Sequence, residues 1–359
     1  MDAMFTNTQK TKGLFYSRIL IVLSILFCAQ ISNAQSKYGK TTMDEMKINS
    51  CEIDATAKAV VLMKDGFTEF KYDDLKGFLY EYTYRVKIKI LKEEGLDQCE
   101  GSVSYYYGPN ISSREEVRGL SGTTYNLENG KIEKTKLSKD FIVTEEHDDV
   151  NKRIKFTMPG AKVGSIIEYK YTLVSPFNYN LRGFNLQSYV PVLNVRYEII
   201  IPEYFMYNQS VQGHERINPV KVDDINLKFS MRLEDGDGRS FNYTDQCSAK
   251  KYIYAAENLV AMKEEPFIWS TEDYISRIDF ELRSFQFKYN LSKQFSTTWN
   301  DVDKMLFGSN YFGGNLKKTG LFKDEPLPAS KDLNAASAII SLVRQKVKWN
   351  EKSEFAPDN

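Results

Sequence analysis

Residues 79–91, LYEYTYRVKIKIL, decide the fold of this chain. Apolar and aromatic residues alternate with polar ones over the whole stretch. Because successive side chains of a β-strand point to opposite faces, this alternation predicts a strand with one buried face. The predicted buried face carries Tyr80, Tyr82, Tyr84, Val86, Ile88 and Ile90. The residues expected to face solvent are Glu81, Thr83, Arg85, Lys87 and Lys89.

The same alternation recurs through the middle of the chain and is typical of antiparallel sheets. It is clearest at residues 165–173, 195–201 and 277–282, with further candidates at 59–63, 102–107, 152–158, 226–233 and 251–256. Residues 123–137 predict a hairpin whose turn is Asn129-Gly130, since a type I′ turn needs positive φ at both central positions. The composition agrees, because 23 Tyr and 22 Phe favour strands. The sequence therefore predicts a mainly β chain of antiparallel β-sandwich modules.

The pattern becomes helical near the C-terminus. Residues 295–308 offer Ser and Thr caps followed by a helical spacing of apolar residues. Residues 330–349 predict a second helix, capped by Ser330 or Asp332, with one apolar stripe. We expect Ile339, Ile340, Val343 and Val347 of that stripe to be partly exposed, because the β-rich body offers few helical partners.

The N-terminus reads as a signal peptide. Lys10, Lys12 and Arg18 precede a short apolar run at 19–27, and small residues lead to a predicted cleavage after Ala34. The alternatives are a membrane anchor, for which the run is about half the roughly 20 residues required, and a lipoprotein cut before Cys28, which the bulky Phe27 disfavours. We expect export to the periplasm or cell surface of a Gram-negative bacterium, with no stable membrane span after cleavage.

Charge argues against nucleic acid as a partner. Removing residues 1–34 leaves 45 basic and 47 acidic residues, so the chain has no excess of positive charge to bind the phosphates of a nucleic acid. The remaining cysteines, Cys51, Cys99 and Cys247, follow no zinc spacing. They are expected to be buried thiols, with one disulfide left open as an alternative.

No catalytic, cofactor or metal site is predicted. His147 lies in the acidic stretch EEHDD (145–149), which reads as a solvated turn rather than a metal site, and His214 reads as a surface residue. Cys99 or Cys247 could pair with a histidine as a thiol nucleophile, but neither cysteine opens a helix that would lower its pKa. The stretch EDGDG (234–238) lacks the later ligands of a calcium loop.

The tyrosines suggest a binding role. Tyr105, Tyr106 and Tyr107 must point to both faces if they lie on a strand, and exposed rings could hold sugars or peptides. The alternative is that one face is core and the other is ordinary surface.

Several longer stretches resemble a known family. They are YGKTTMDEM (38–46), DATAKAVVLMKDG (54–66), YRVKIKILKEEG (84–95), FTMPGAKVGSIIEYKYTL (156–173), FNLQSYVPV (184–192), ENLVAMKEEPF (257–267) and SLVRQKVKWN (341–350). The family is a domain of unknown function in exported bacterial proteins that usually precedes a transglutaminase-like domain. The resemblance implies β-sandwich modules leading into a papain-like core, whose Cys, His and Asp positions would lie beyond residue 359.

Four segments follow from these patterns. They are a signal peptide at 1–34, a β-sandwich module at 35–200, a second β-module or continuation at 201–294, and a helical start of a transglutaminase-like α+β core at 295–359. We expect a non-catalytic accessory module that binds a peptide, a glycan or an unidentified envelope protein. The alternatives are a thiol acyltransferase or peptidase whose catalytic residues lie beyond residue 359, and a structural envelope protein.

Overall fold

The computed structural model describes residues 36–213, 217–234, 236–263, 265–267, 270–287, 292–295, 298–310, 312–314, 325, 328 and 330–348. The strands are β1 Ala59–Asp73, β2 Gly77–Ile90, β3 Glu100–Tyr106, β4 Glu116–Glu128, β5 Lys131–Lys136, β6 Ile142–Glu146, β7 Asn151–Thr157, β8 Ile166–Ser175, β9 Phe184–Asn185, β10 Val192–Pro202, β11 Phe205–Gln212, β12 Lys221–Glu234, β13 Ser240–Leu259, β14 Arg277–Gln286 and β15 Ser292–Gln294. The helices are α1 Met43–Met46, α2 Trp299–Gly308 and α3 Leu333–Lys346. The described residues up to 287 belong to one compact unit, and those from 292 belong to a second.

An eight-stranded sheet forms the centre of the first unit, in the order β12-β13-β10-β1-β2-β8-β4-β5. All neighbours are antiparallel except β1 and β10, which run parallel. The prediction of a mainly β chain with antiparallel sheets is confirmed, with this one parallel pair as the exception. Alternation within a strand does not reveal the direction of a partner more than 100 residues away. Because β10 also pairs with β13, one sheet spans the boundary expected at residue 200.

Two smaller sheets pack on the face of the large sheet that carries Tyr80, Tyr82 and Tyr84 of β2. We call this the tyrosine face. One pairs β14 with β11 and with the short β9, and the other has the order β3-β7-β6. Phe184 of β9 stacks on Tyr197 of the large sheet, with ring centroids 4.6 Å apart. Phe156 of β7 meets Tyr169 edge-on at 5.0 Å. Aromatic pairs of this kind contribute about 0.5–1.5 kcal/mol beyond their buried area, so the alternating tyrosines hold the sheets together.

A glycine makes the closest of these contacts possible. Gly66 of β1 lies opposite Tyr84 and Tyr197 in the large sheet. A Cβ at Gly66 would lie 2.3 Å from the Phe184 ring. The absent side chain therefore leaves the space in which Phe184 lies flat against Tyr197.

The sequence prediction that Lys87 and Lys89 face solvent is wrong. Both residues lie near the C-terminal end of β2, on the face opposite the tyrosines, and this part of the face is covered. Both residues are buried, at 0% and 1% exposure. The Lys87 ammonium donates to the carbonyls of Lys37 and Lys40 at 2.6 and 2.7 Å, and that of Lys89 donates to Met46 and Gly164 at 2.7 and 2.6 Å.

The cause is the N-terminal segment, residues 36–57, which covers this end of the sheet. Met46 and Cys51 of the segment join a buried apolar cluster with Val60 and Leu62 of β1 and Ile166 of β8. The backbone carbonyls of the segment replace water as partners of the two ammonium groups. A strand pattern alone carries no information about such a cover, because the covering residues are distant in sequence.

The predicted hairpin and helices are present. Asn129 and Gly130 have φ of 50° and 77° between β4 and β5, as a type I′ turn requires. Thr298 and Asp301 form a reciprocal capping box at the start of α2, and the Asp332 carboxylate caps α3 by accepting from Ala335 N at 2.8 Å.

The apolar stripe of α3 is partly exposed, as the sequence predicts. Ile339, Ile340, Val343 and Val347 are 40%, 54%, 38% and 48% exposed. None of the helices in the described residues is long and apolar enough to cross a bilayer. The predicted cleavage after Ala34 lies outside the described residues.

Candidate functional site

The tyrosines of β2 and β8 form one wall of a cleft. Tyr84 lies directly opposite Tyr171 in the β2–β8 register, and their rings stack at 5.4 Å. Tyr84 and Tyr169 are also hydrogen-bonded through their hydroxyls, and burial raises the pKa of both phenols. These hydroxyls therefore stay protonated at neutral pH and remain available as hydrogen-bond donors and acceptors.

The chain between β8 and β9 forms the opposite wall. The Tyr80 hydroxyl holds this segment by accepting from Arg182 N at 3.2 Å and lying 3.4 Å from the carbonyl of Asn180. The Arg182 guanidinium donates to Ser104 O of β3 at 2.9 Å and is hydrogen-bonded to Tyr171. Arg182 thus links two sheets while its charge stays beside the tyrosines.

A second arginine lies at the start of β14. Arg277 Nη2 pairs with Asp279 Oδ1 at 2.5 Å. Its Nε is buried and has no hydrogen-bond partner among the described residues. Gly183 makes room for this pair, since a Cβ there would lie 2.3 Å from Asp279 Oδ1 and 3.2 Å from Arg277 Nη2. An unpaired buried donor costs about 1–3 kcal/mol, so the Arg277 Nε is an unsatisfied polar group beside the cleft.

Lys64 supplies a third cation from β1. Its side chain is buried on the tyrosine face, with the residue 6% exposed, and its ammonium lies 5.8 Å above the Phe184 ring. Among the described residues, its one hydrogen bond is to Gln187 O at 3.0 Å. Burial lowers the pKa of Lys64 from 10.5 to about 7, because charge is disfavoured away from water. An ammonium has three donors, so two are left for other acceptors.

These residues line two adjoining cavities, which we call together the tyrosine–arginine cleft. The larger cavity, of about 690 Å³, is lined by Tyr80, Tyr106, Ser113, Glu115, Asn151, Phe177, Tyr179, Asn180, Leu181, Arg182, Gly183, Arg277, Asp279 and Phe280. The smaller cavity, of about 420 Å³, is lined by Lys64, Tyr82, Tyr84, Ser102, Tyr169, Tyr171, Arg182, Gly183, Asn185 and Arg277. Arg182, Gly183 and Arg277 belong to both. Volumes of this size are typical of sites for small ligands.

The two cavities differ in charge. The smaller one has Lys64, Arg182, Arg277 and four tyrosines in its lining and no carboxylate; Arg277 is paired with Asp279 of the larger cavity, and Lys64 is protonated below about pH 7. The larger one carries Glu115 and Asp279, both already engaged: Glu115 accepts from Tyr106 N at 2.8 Å, and Asp279 pairs with Arg277. An anion is therefore favoured in the smaller cavity, and a polar neutral group in the larger one.

The residues singled out from the sequence lie mostly elsewhere. His147 is at an exposed turn after β6, where its Nε2 lies 2.9 Å from Arg153 Nη2. His214 lies outside the described residues. Gly236, Asp237 and Gly238 of EDGDG lie in the turn between β12 and β13. In the described part of the chain, no group of His, Cys, Asp and Glu side chains could hold a metal ion.

The cysteines are buried thiols. Cys51, Cys99 and Cys247 are all buried, and none of these three forms a disulfide in the described part of the chain. Burial raises the pKa of Cys99 to about 11, which is the opposite of what a thiol nucleophile needs.

The three consecutive tyrosines divide between two faces, as a strand requires. Tyr105 and Tyr107 meet edge-on at 6.2 Å, and Tyr107 lies between the cations of Arg114 and Lys152, which are 4.1 and 4.0 Å from its ring centre. Tyr106 points to the cleft, against Phe177 at 5.2 Å.

Sequence reasoning missed Lys64, Arg182 and Arg277. One weak indication of Lys64 is present in the sequence, because this charged residue directly follows the apolar run of residues 59–63 on a predicted strand. The arginines carried none, since their meeting depends on β9 pairing with β14.

Residues 78–233 match a family described as a domain of unknown function with a solved structure, DUF3857. No curated protein matches the chain. Among solved structures, the chain is similar to a putative protease from Parabacteroides distasonis ATCC 8503, with 15% sequence identity and a TM-score of 0.51. The similarity covers 80% of this chain and 50% of that protein, so this chain spans about half of that protein's length. At this identity the likeness concerns the fold, and it agrees with the expected β-rich domain of unknown function.

Proposed function

We propose that this chain is a non-catalytic, β-rich binding module of an exported transglutaminase-like protein, and that it binds a peptide or glycan of the cell envelope. The observation that carries the proposal is the tyrosine–arginine cleft, which joins aromatic rings with unsatisfied polar donors at the meeting point of three sheets. Ligand sites are concave and place a few polar groups among aromatic walls. Burial raises the pKa of the Cys99 thiol, which does not suit a thiol nucleophile.

The architecture supports an accessory role within a larger protein. The Parabacteroides protein with the similar fold is described as a putative protease, and the similarity covers half of it. A chain of this kind would present a ligand to a catalytic part encoded beyond residue 359. The second candidate function is therefore part of a thiol acyltransferase or peptidase, with its Cys, His and Asp outside this sequence. Sequencing the gene beyond codon 359 separates the two, because a core without the cysteine would exclude that enzyme.

Export is part of the proposal and has its own test. The protein is expressed from its complete gene in a Gram-negative host, and the N-terminus of the periplasmic form is read by mass spectrometry. A mature chain beginning at Gln35 is expected. An intact Met1 in the cytoplasm would contradict export.

Binding is tested by thermal shift and NMR titration of the purified protein with cell-wall muropeptides, envelope oligosaccharides and short peptides. Tyr179→Ala is the test variant, because Tyr179 lines the larger cavity and is 58% exposed, so its loss should leave the fold intact. Tyr243→Ala is the matched control, since this tyrosine is also exposed but lies on β13 away from the cleft lining. We expect a ligand whose affinity falls in Tyr179→Ala alone. A protein that responds to none of these compounds, or equal losses in both variants, would refute the binding function of the cleft.

A further inference from the structure

The chemistry of the tyrosine–arginine cleft selects a class of ligand. We propose that the cleft binds an acidic saccharide, with its carboxylate among Lys64, Arg182 and Arg277 and its sugar ring against Phe177 and Tyr179. This inference rests on the proposed binding function and narrows it to one ligand chemistry.

The smaller cavity is suited to a carboxylate. Lys64, Arg182 and Arg277 all line it, and no acidic side chain does. Two guanidinium groups offer planar pairs of N–H donors that match the two oxygens of a carboxylate. When Lys64 is protonated, two of its ammonium hydrogens are without acceptors among the described residues. A bound carboxylate would accept from those donors.

The larger cavity is suited to a sugar ring. Tyr106, Phe177 and Tyr179 form a continuous row of rings, with centroids 5.2 and 5.7 Å apart, and Tyr179 is largely exposed. A pyranose presents an apolar C–H face that packs on such a ring and hydroxyls at its edge. Asn151 and Asn180 line the same cavity and can both donate to and accept from those hydroxyls.

The floor of the cleft disfavours an extended peptide as the ligand. Peptides that dock on sheets usually add a strand to a free edge. Here the floor is made by β1, β2 and β8, and each of these strands has a partner on both sides. A ligand in the cleft therefore meets side chains of paired strands, which suits a compact ring better than a peptide backbone.

The test compares carboxylated sugars with their neutral counterparts by isothermal titration calorimetry on the whole protein. Trigalacturonate is set against its carboxyl-reduced form, and N-acetylmuramic acid against N-acetylglucosamine. These two arms distinguish a ring carboxylate from a lactyl one. Triglutamate tests an acidic peptide. We expect at least one carboxylated sugar to bind about tenfold or more tightly than its neutral partner, as a charge-assisted hydrogen bond implies.

Variants locate the carboxylate. Lys64→Met and Arg277→Met should each reduce the ratio of acidic-sugar to neutral-sugar affinity about tenfold, because each variant removes a cation from the smaller cavity. Lys71→Met is the control, because Lys71 lies on the same strand but is exposed and outside the cleft lining. Arg277 is partly exposed, so its variant remains informative if Lys64→Met fails to fold.

Each outcome decides the proposal. Equal affinity for acidic and neutral sugars overturns the carboxylate site but leaves the binding function standing. Triglutamate binding as tightly as the sugars overturns the choice of saccharide and also leaves the binding function standing. If no sugar binds, the inference is refuted, and the binding function is then judged by the muropeptide and peptide titrations alone.

Discussion

Lys64 should make the stability of this protein rise with pH between about pH 7 and 9. Its ammonium is buried on the inner face of β1, and burial lowers its pKa from 10.5 to about 7. In the unfolded chain the amine keeps its proton up to about pH 10.5, whereas the folded protein releases it above about pH 7. The unfolded state therefore binds more protons in this window, and stability increases as pH rises.

The magnitude follows from the same two pKa values. A difference of one bound proton between the unfolded and folded states changes the free energy of unfolding by about 1.4 kcal/mol per pH unit. Lys64 is half deprotonated in the folded state at pH 7 and almost fully deprotonated at pH 9, so the gain over this range is about 2 kcal/mol. Lys64→Met removes this dependence while leaving a side chain of similar length in place.

The assay is urea unfolding of the wild-type protein and Lys64→Met at pH 7, 8 and 9. Lys89, whose pKa is lowered to about 8, contributes a slope of the same sign to both proteins, so their difference isolates Lys64. Lys71→Met, an exposed lysine on the same strand, should follow the wild-type protein. Parallel stability curves for the wild-type protein and Lys64→Met would show that Lys64 stays charged when folded, and would refute the argument from burial.

Two substitutions and one labelling experiment test the packing. Gly66→Ala should destabilise the protein by about 1–3 kcal/mol in urea unfolding, because a Cβ would meet the Phe184 ring at 2.3 Å; Gly236→Ala, with open space around it, should have little effect. Lys87→Met should leave carbonyls of the N-terminal segment without their donor and speed hydrogen exchange there, whereas Lys71→Met should not; unchanged exchange in Lys87→Met would contradict the anchoring role of this amine. Cys99 should react with a thiol reagent at pH 8 only on unfolding, since it is buried with its pKa raised to about 11, and fast labelling of the native protein would contradict that burial.

Most of the secondary structure could be read from local patterns. Period-2 alternation located β2, β8, β10 and β14, because each strand buries one face and the signal lies within a few residues. The Asn129-Gly130 turn and the caps of α2 and α3 were equally local, since their physics involves a turn or the first residues of a helix. Short strands without alternation, such as β9 and β6, carried no such signal.

Sequence patterns did not predict the candidate site. Tyr84 and Tyr171 were correctly placed on buried faces, but nothing in the chain indicated that they face each other across a strand pair. Arg182 and Arg277 are 95 positions apart and meet because β9 pairs with β14. Their convergence with Lys64 is a property of three sheets packed together.

The sequence by itself determined the β-rich character, the positions of the main strands and the two C-terminal helices. These features depend on interactions between residues that are close in the chain. The tertiary structure decided which faces meet. Lys87 and Lys89 show the difference most clearly: their alternation predicts a solvated face, yet residues 36–57 cover it and supply carbonyls to both amines. Burial and charge at a position depend on whatever packs above it, and in this protein that partner comes from a distant part of the chain.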